Sequence, residues 1–394
     1  MTNMKHFFIL GATGSIGTQA IEVLRTIDNI KIEAISFGSN IDEAIKIIDE
    51  FKPRLVCAVE EKYAQEIKKL YPNIITTYGE DALSEVSCFD DTIDSNNCFV
   101  LNSVVGMVGL RATIDAIKMG RTILLANKET LVVGGELIEK LKKDYDVKLI
   151  PIDSEHSAIM QCLKGYTKSD VNELIITASG GAFRDKTREE LKDVTIEDAL
   201  HHPNWRMGKK ITVDCATMVN KGLEVMEAHY LFNMDYDHIK TILHYESIVH
   251  SLVRFKDGSI IAQMGKPDMR LPIQYAITYP NRCEFKLDDS LDLTKSSISF
   301  KEMNFERYPC LKLAYEVGKM GGIMPTVYNS SNEEAVRLFI QNKIKFLDIE
   351  ALLFIMCDKY KNNNKLDYNL EDIIKLDKET KKYIEDNYQK LLNI

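Results

Sequence analysis

The stretch FILGATGSIG, residues 8–17, joins a short apolar run to the beginning of a helical pattern. Its glycines follow the spacing G-x-x-G-x-x-G, a variant of the dinucleotide-binding fingerprint. Glycines permit a tight turn and a close approach of backbone N–H groups to a pyrophosphate, and the helix N-terminus that follows favours negative charge. The stretch therefore predicts a dinucleotide site after the first strand of a Rossmann-like sheet. A glycine-rich loop without a ligand is the alternative interpretation.

The end of the second predicted strand bears on which dinucleotide binds. A site that prefers NAD usually carries an acid there, about 20 residues beyond the fingerprint, which binds the ribose 2′-hydroxyl. Here the strand ends in Gly38-Ser39-Asn40, without an acid and without Arg or Lys. A 2′-phosphate would not be repelled, so the sequence favours NADPH over NADH.

Apolar strand-like runs alternate with helical patterns through residues 1–150, which predicts a doubly wound parallel sheet. The predicted strands are His6–Leu10, Lys31–Phe37, Leu55–Val59, Cys98–Asn102, Thr122–Ala126 and Val147–Ile152. Residues 151–284 mix helical and strand-like segments, with a hairpin turn at residues 256–258. Residues 285–309 have the polar composition of a linker, and residues 310–394 show helical periodicity without a strand signal. The predicted fold class is therefore α/β, with an N-terminal Rossmann-like domain, a central α/β domain and a C-terminal helical domain.

Composition argues against several functions. With 59 acidic and 50 basic residues the net charge is -9, which disfavours nucleic acid as the main partner. No apolar run reaches the roughly 20 residues that span a bilayer, and the N-terminal residues lack the pattern of a secretory signal. The eight cysteines are scattered singly, as in a reduced, cytoplasmic protein.

Two acidic segments have the composition of a metal site. Asp153 and Glu155 follow a predicted strand, and if the extended conformation continues they project to the same side. Two adjacent carboxylates repel each other unless a cation lies between them, and oxygen ligands suit Mg²⁺ or Mn²⁺. The alternative is a helix N-cap at Ser154.

The second acidic segment has helical spacing. Asn220 and Glu224 share a helix face that Lys221 flanks, so a carboxylate, an amide and an ammonium could bind a metal and an anionic substrate together. The alternative is a weak Lys221–Glu224 pair on the surface.

Three further segments have site-like composition. Lys128 lies at the carboxyl end of a predicted strand, where open α/β sheets bind ligands. Ser179-Gly180-Gly181 is a turn suited to phosphate. Residues 201–210 contain the one Trp of the chain, Trp205, in a stretch without periodicity that fits a mobile lid. Alternatively, Trp205 is a buried anchor.

Together these segments resemble one family, the 1-deoxy-D-xylulose 5-phosphate reductoisomerases, from residue 7 to about residue 335. The motifs that carry the resemblance are residues 11–17, Leu125-Ala126-Asn127-Lys128-Glu129, Pro151-Ile152-Asp153-Ser154-Glu155-His156, Ser179-Gly180-Gly181, His202-Pro203-Asn204-Trp205, Met218-Val219-Asn220-Lys221-Gly222-Leu223-Glu224, Gly265-Lys266-Pro267-Asp268-Met269-Arg270 and residues 308–314. The resemblance implies reduction and rearrangement of 1-deoxy-D-xylulose 5-phosphate to 2-C-methyl-D-erythritol 4-phosphate in the mevalonate-independent isoprenoid pathway. It also implies a homodimer in which residues 151–284 form the catalytic and dimerisation domain.

Carried over motif by motif, the resemblance implies roles for individual residues. The implied metal ligands are Asp153, Glu155 and Glu224. The implied catalytic residues are Lys128, Asp153, Glu155, His202 and Glu224. The implied substrate contacts are Lys128, Ser154, Glu155, Ser179, His202, Trp205, Cys215, Asn220, Lys221 and Glu224. The implied NADPH contacts are Thr13, Gly14, Ser15, Ile16, Gly38, Ser39, Asn40, Asn127, Glu129 and Gly208.

The sequence departs from the family at two positions. Cys215 stands where members usually have a phosphate-binding serine, and a thiol is the weaker hydrogen-bond donor. Ser39 stands where many members place a basic residue beside the 2′-phosphate.

Two other functions are alternatives. A metal-independent dehydrogenase would share the glycine loop but leave the three acids, Asp153, Glu155 and Glu224, without a role. A dinucleotide-sensing regulator would require an interaction surface or a DNA-binding motif, and the sequence supplies neither.

Overall fold

The computed structural model describes residues 4–205, 207–284 and 291–394. Arg206 of the predicted lid and residues 285–290 of the predicted linker lie outside the described residues. The predicted α/β fold class is confirmed. The chain divides into two compact units, the first comprising Met1–Thr130, Glu136–Ser157 and Asp268–Asp288 and the second Leu131–Gly135, Ala158–Pro267 and Asp289–Ile394. The division into three domains and a linker that was predicted from the sequence stays a prediction.

Helices and strands alternate through the first part of the chain. In order they are β1 (Lys5–Leu10), α1 (Ser15–Leu24), β2 (Ile30–Phe37), α2 (Ile41–Phe51), β3 (Leu55–Ala58), α3 (Glu61–Leu70), β4 (Ile75–Tyr78), α4 (Leu83–Ser87), β5 (Cys98–Asn102), α5 (Gly109–Lys118), β6 (Thr122–Leu125), α6 (Glu129–Tyr145), β7 (Leu149–Pro151) and α7 (Ser154–Cys162). The second part contains β8 (Val171–Ala178), α8 (Ile196–Ala199), α9 (Lys209–Thr217), α10 (Val219–Phe232), β9 (Ile239–Leu243), β10 (Val249–Phe255), β11 (Ile260–Met264), α11 (Arg270–Thr278), β12 (Lys301–Glu302), α12 (Pro309–Met320), α13 (Met324–Ile340), α14 (Phe346–Lys361) and α15 (Leu370–Leu392).

The first unit is built on a parallel sheet with strand order β4-β3-β2-β1-β5-β6-β7. The apolar run of β1 is buried on both sides, as expected where helices cover both faces of a parallel sheet. The chain order reverses between β1 and β5, and such a switch point opens a crevice at the carboxyl ends of the strands. The fold therefore places the glycine-rich loop after β1 at the position where α/β sheets bind ligands.

The second unit contains a mixed sheet with strand order β11-β10-β8-β9-β12. β10 and β11 form an antiparallel hairpin, and Gly258 takes a left-handed φ of 89° in its turn, so the predicted turn at residues 256–258 is confirmed. The helices of the C-terminal part belong to the same unit, and α13 packs against α9, α14 and α15. Among the described residues, no helix combines the length and the apolar character that crossing a bilayer requires.

Candidate functional site

The glycine-rich loop forms an anion-binding helix start. Gly11 takes a left-handed φ of 85°, and its N–H donates to Ser36 Oγ at 2.9 Å, which fixes the turn against β2. Gly14 is the N-cap of α1, and Gly14 and Ser15 are exposed. Because a glycine N-cap has no side chain to cap the helix, N–H groups of the first turn can bind a phosphate.

Two further segments end at the same edge of the sheet. Gly38, Ser39 and Asn40 follow β2 and are exposed, and Asn40 caps α2 by accepting the N–H of Glu43 at 3.2 Å. On the other side of β1, Ser103 Oγ donates to the carbonyl of Leu10 at 2.7 Å. The loops after β1, β2 and β5 thus lie side by side at the switch point.

Asn127 shapes the loop after β5. Its Nδ2 donates to the carbonyls of Val104 and Gly106, each at 2.8 Å, and its Oδ1 accepts the N–H of Thr130 at 3.1 Å. The side chain is buried and holds residues 103–108 in place. Whether it also contacts NADPH stays a prediction, as does the contact assigned to Glu129.

Asp153 and Glu155 do not lie on an extended segment, so that expectation is wrong. β7 ends at Pro151, and α7 begins at Ser154. Asp153 Oδ1 accepts the N–H of Glu155 at 3.2 Å and caps the helix. The alternative of a helix start was right, although Asp153 rather than Ser154 provides the cap.

Asp153 also forms a buried ion pair. Lys128 Nζ lies 2.6 Å from its Oδ2, and His156 Nδ1 lies 3.4 Å from its Oδ1. Burial alone would raise the pKa of Asp153, but the charge of Lys128 and a hydrogen bond with His156 outweigh burial, so this pKa lies well below its usual value. An ionised oxygen ligand is what a hard divalent cation requires, so this carboxylate fits a Mg²⁺ or Mn²⁺ ligand.

The second unit contains another buried carboxylate–lysine group, on α10. Glu224 Oε1 accepts Asn220 Nδ2 at 2.5 Å, and Lys221 Nζ pairs with Glu224 Oε2. The side chains of Lys221 and Glu224 are 5% and 1% exposed, so the alternative of a surface pair is wrong. Amide, ammonium and carboxylate converge as predicted, because positions i, i+1 and i+4 meet on one part of a helix.

Ser179 and His202 meet in the same unit, and the contacts of the imidazole define its tautomer. His202 Nδ1 accepts the N–H of Asn204 at 3.2 Å and of Trp205 at 3.0 Å. In the neutral ring the proton is therefore on Nε2, which lies 3.0 Å from Ser179 Oγ and donates to it. The hydroxyl of Ser179 can then donate its own hydrogen to an anion.

Asn204 holds the predicted lid against a loop of the same unit. Its Nδ2 donates to the carbonyl of Tyr245 at 2.6 Å and to Ser247 Oγ at 2.7 Å. Trp205 is half-buried, with its ring centroid 6.1 Å from that of His250, so the alternative of a buried anchor is wrong. Cys215, on α9, is also half-buried.

We expect His202 to titrate far below the usual range of a histidine. Burial and, secondarily, the charge of Arg184 lower its pKa from 6.5 to about 4. As pH falls, the unfolded chain takes up a proton at His202 at a higher pH than the folded chain does. The free energy of unfolding should therefore fall progressively between pH 6.5 and pH 4, and His202 should not affect its pH dependence above that window. An NMR titration of ¹³C-labelled histidines, with His202→Gln for assignment, measures the pKa. Arg184→Gln should raise it, and a midpoint near 6.5 in the native chain would contradict this description of the site.

Sequence reasoning did not assign roles to several residues that shape these groups. His156 contacts Asp153, Arg184 acts on His202, Asn204 anchors the lid, and Asp214 lies buried on α9. His156 could have been found from its i+3 spacing to Asp153. The other contacts join distant parts of the sequence, and local spacing gives no signal for them.

A glycine-rich loop at the switch point of a parallel sheet is typical of dinucleotide-dependent enzymes of the α/β class. Comparison with known proteins specifies the family. The model of 1-deoxy-D-xylulose 5-phosphate reductoisomerase matches residues 7–135, and two models of the C-terminal domain of that enzyme match residues 149–232 and 264–383. The chain belongs to the 1-deoxy-D-xylulose 5-phosphate reductoisomerase family.

Relatives match over nearly the whole chain. A 1-deoxy-D-xylulose 5-phosphate reductoisomerase of Geobacillus sp. (strain WCH70) is 50% identical, covering 97% of this chain and 99% of its own. A counterpart from Listeria innocua is 47% identical over the same shares. A solved structure of the reductoisomerase with NADPH, fosmidomycin and magnesium is 35% identical, covers 99% of each chain and has a TM-score of 0.92. The enzyme from Zymomonas mobilis with NADPH is 36% identical, covers 96% of this chain and 97% of its own, and has a TM-score of 0.86.

Proposed function

We propose that this protein converts 1-deoxy-D-xylulose 5-phosphate to 2-C-methyl-D-erythritol 4-phosphate, with NADPH and a divalent cation, in the mevalonate-independent route to isoprenoid precursors. The observation that carries the proposal is the pair of buried carboxylate–lysine groups, Asp153 with Lys128 and Glu224 with Lys221, in a chain of this family. Buried charges are costly, and such groups persist where chemistry requires them.

The proposed metal ligands are Asp153, Glu155 and Glu224, each of which offers a carboxylate oxygen of the kind that binds a hard divalent cation. An all-oxygen set suits Mg²⁺ or Mn²⁺. When bound, the cation supplies Lewis acidity toward the carbonyl and hydroxyl oxygens of the substrate, and NADPH supplies the hydride. Lys128 keeps Asp153 ionised and offers ammonium hydrogens to a substrate oxygen. A retro-aldol sequence and a single ketol shift are both compatible with these roles.

The phosphate end of the substrate is assigned to donors of the second unit. Ser179 supplies a hydroxyl that His202 orients through its Nε2–H, and Asn220 and Lys221 supply an amide and an ammonium. Cys215 contributes a weak donor at most, so those four residues bear most of the binding. Ser154 is the remaining proposed polar contact, and Trp205 covers the substrate and excludes water. Binding energy at the phosphate orients the reacting carbons, which are remote from it.

NADPH is assigned to the switch point of the first sheet. The helix start at Thr13, Gly14, Ser15 and Ile16 receives the pyrophosphate. Ser39 and its neighbours meet the 2′-phosphate with hydroxyl and amide donors but no cation, so we propose that the preference for NADPH is weaker than in members with a basic residue there. The other proposed contacts are Gly38, Asn40, Asn127, Glu129 and Gly208.

We further propose a homodimer in the cytoplasm. β11 is an edge strand, and its first residue, Ile260, is 47% exposed, so a second copy could cover it. None of the eight cysteines, all of which lie among the described residues, forms a disulfide, which supports a reducing compartment.

The test of the function is NADPH oxidation with 1-deoxy-D-xylulose 5-phosphate as substrate, with the branched product identified by NMR. We expect turnover with Mn²⁺ or Mg²⁺, loss in EDTA, and recovery when Mn²⁺ is returned. Full activity in EDTA would support the metal-independent dehydrogenase instead. Comparing NADH with NADPH measures the effect of Ser39.

A further inference from the structure

Helix α9 connects two parts of the proposed phosphate site within the second unit. It begins at Lys209, inside the predicted lid, with Gly208 as its N-cap. It ends at Thr217, and the left-handed backbone of the next residue, Met218 (φ 63°), leads directly into α10 and its pair Asn220 and Lys221. A shift of α9 would therefore move two groups together: the end of the predicted lid at residues 208–210, called the lid end below, and the donors Asn220 and Lys221 on α10.

The Ser179 turn packs directly on the backbone of α9. Gly181 has a φ of 70°, and a Cβ added to it would lie 2.4 Å from the carbonyl oxygen of Cys215. Because protein interiors are close-packed, a turn this close to the backbone of α9 has little freedom to move relative to that helix. The position of α9 thus also determines the position of Ser179.

A buried carboxylate anchors α9 to the C-terminal helices. Asp214 Oδ1 accepts Asn332 Nδ2 at 2.8 Å, and its Oδ2 lies 2.9 Å from Lys210 Nζ. Asp214 is 1% exposed and Asn332 is fully buried. One carboxylate therefore joins the end of the predicted lid to α13 in a region shielded from water.

The partner helix is itself held on both sides of Asn332. Ser330 Oγ donates to Asp377 Oδ1 at 2.6 Å, and Glu333 pairs with Lys381 at 2.6 Å, both on α15. α13 therefore offers Asp214 a fixed support rather than a mobile one.

We propose that Asp214 and Asn332 are positioning residues, which fix α9 and so hold Ser179, the lid end, Asn220 and Lys221 in the arrangement that binds the substrate phosphate. The proposal rests on the proposed function for its substrate. It assigns Asp214 and Asn332 no contact with the substrate, and it predicts that the hydrogen bond between them affects phosphate affinity.

The test uses the full-length protein with Asn332→Asp, Asp214→Asn and the double exchange. Asn332→Asp sets two carboxylates against each other and should raise the KM for the sugar phosphate roughly 5- to 150-fold, the affinity equivalent of a lost buried hydrogen bond. We expect a smaller change in kcat and an unchanged KM for NADPH. The double exchange restores an amide–carboxylate pair with reversed roles, so it should recover most of the lost affinity, as a coupled pair does.

The single tryptophan gives a readout that does not depend on turnover. Trp205 lies in the predicted lid, so its fluorescence, titrated with inorganic phosphate, should show the same order of affinities: native, double exchange, then single variants. Single variants that lose unfolding stability but keep the native phosphate affinity and KM would overturn the proposal, as would a double exchange no better than Asn332→Asp. Failure of the native chain to turn over the sugar phosphate would count against the proposed function, while the phosphate titration would still test the anchoring of α9.

Discussion

Glu224→Gln should lower turnover by about 10²- to 10³-fold, the loss typical when one group that stabilises developing charge is removed. The amide has the shape of the carboxylate but no charge. It therefore removes a metal ligand and leaves the buried Lys221 without its counter-charge. The half-saturating Mg²⁺ concentration should rise in parallel. Steady-state kinetics over a range of Mg²⁺ concentrations measure both effects.

The matched control for this variant is Glu316→Gln, an exposed glutamate on α12, which packs against α10. This exchange removes the same charge near the same helix and should leave kcat and the Mg²⁺ dependence within about twofold of native values, as surface changes usually do. If Glu224→Gln turned over at the native rate at low Mg²⁺, Glu224 would not be a metal ligand.

Gly17→Ala should weaken NADPH binding by roughly 10- to 100-fold and lower the free energy of unfolding by about 1–3 kcal/mol, the usual cost of overpacking. A Cβ on Gly17 would lie 2.1 Å from the carbonyl oxygen of Gly11, far inside contact distance. The loop must shift away from α1, which moves the N–H groups offered to the pyrophosphate. NADPH titration and urea denaturation measure the two losses.

Gly38→Ala provides the comparison, since it adds the same methyl group at the same edge of the sheet. An added Cβ there meets no atom of the chain within 4 Å, so we expect a clearly smaller loss in the free energy of unfolding than for Gly17→Ala. Equal losses in the two variants would mean that the tight contact between Gly11 and Gly17 does not shape the loop.

The parallel sheet could be predicted because its strands are short apolar runs buried on both faces, and burial leaves a clear signal in the sequence. β4 gave no such signal. Its residues Ile75–Tyr78 lie at the sheet edge with both apolar side chains exposed, so their pattern differs little from that of a loop. The strand predicted at Val147–Ile152 is longer than β7, which is Leu149–Pro151. At its C-terminal end the extended segment stops because Asp153 caps α7.

The chemistry of the site could be predicted only where it is local. Asn220, Lys221 and Glu224 meet because helical spacing brings them together, and the sequence contains that spacing. The tautomer of His202, by contrast, depends on two backbone N–H groups whose direction follows from how the chain turns after it. The Asp214–Asn332 bond joins residues 118 positions apart, so spacing along one sequence gives no signal for it.

Mn²⁺ binding by the native chain, Asp153→Asn and Glu224→Gln, measured by electron paramagnetic resonance, tests whether these carboxylates are metal ligands. The proposal requires Asp153 and Glu224 to hold the same ion. It therefore predicts one tightly bound ion per native chain and a loss of affinity of roughly 10- to 100-fold or more in each variant, since even supporting residues of metal sites have effects of that size. Unchanged Mn²⁺ affinity in Glu224→Gln, with binding lost in Asp153→Asn, would contradict the claim.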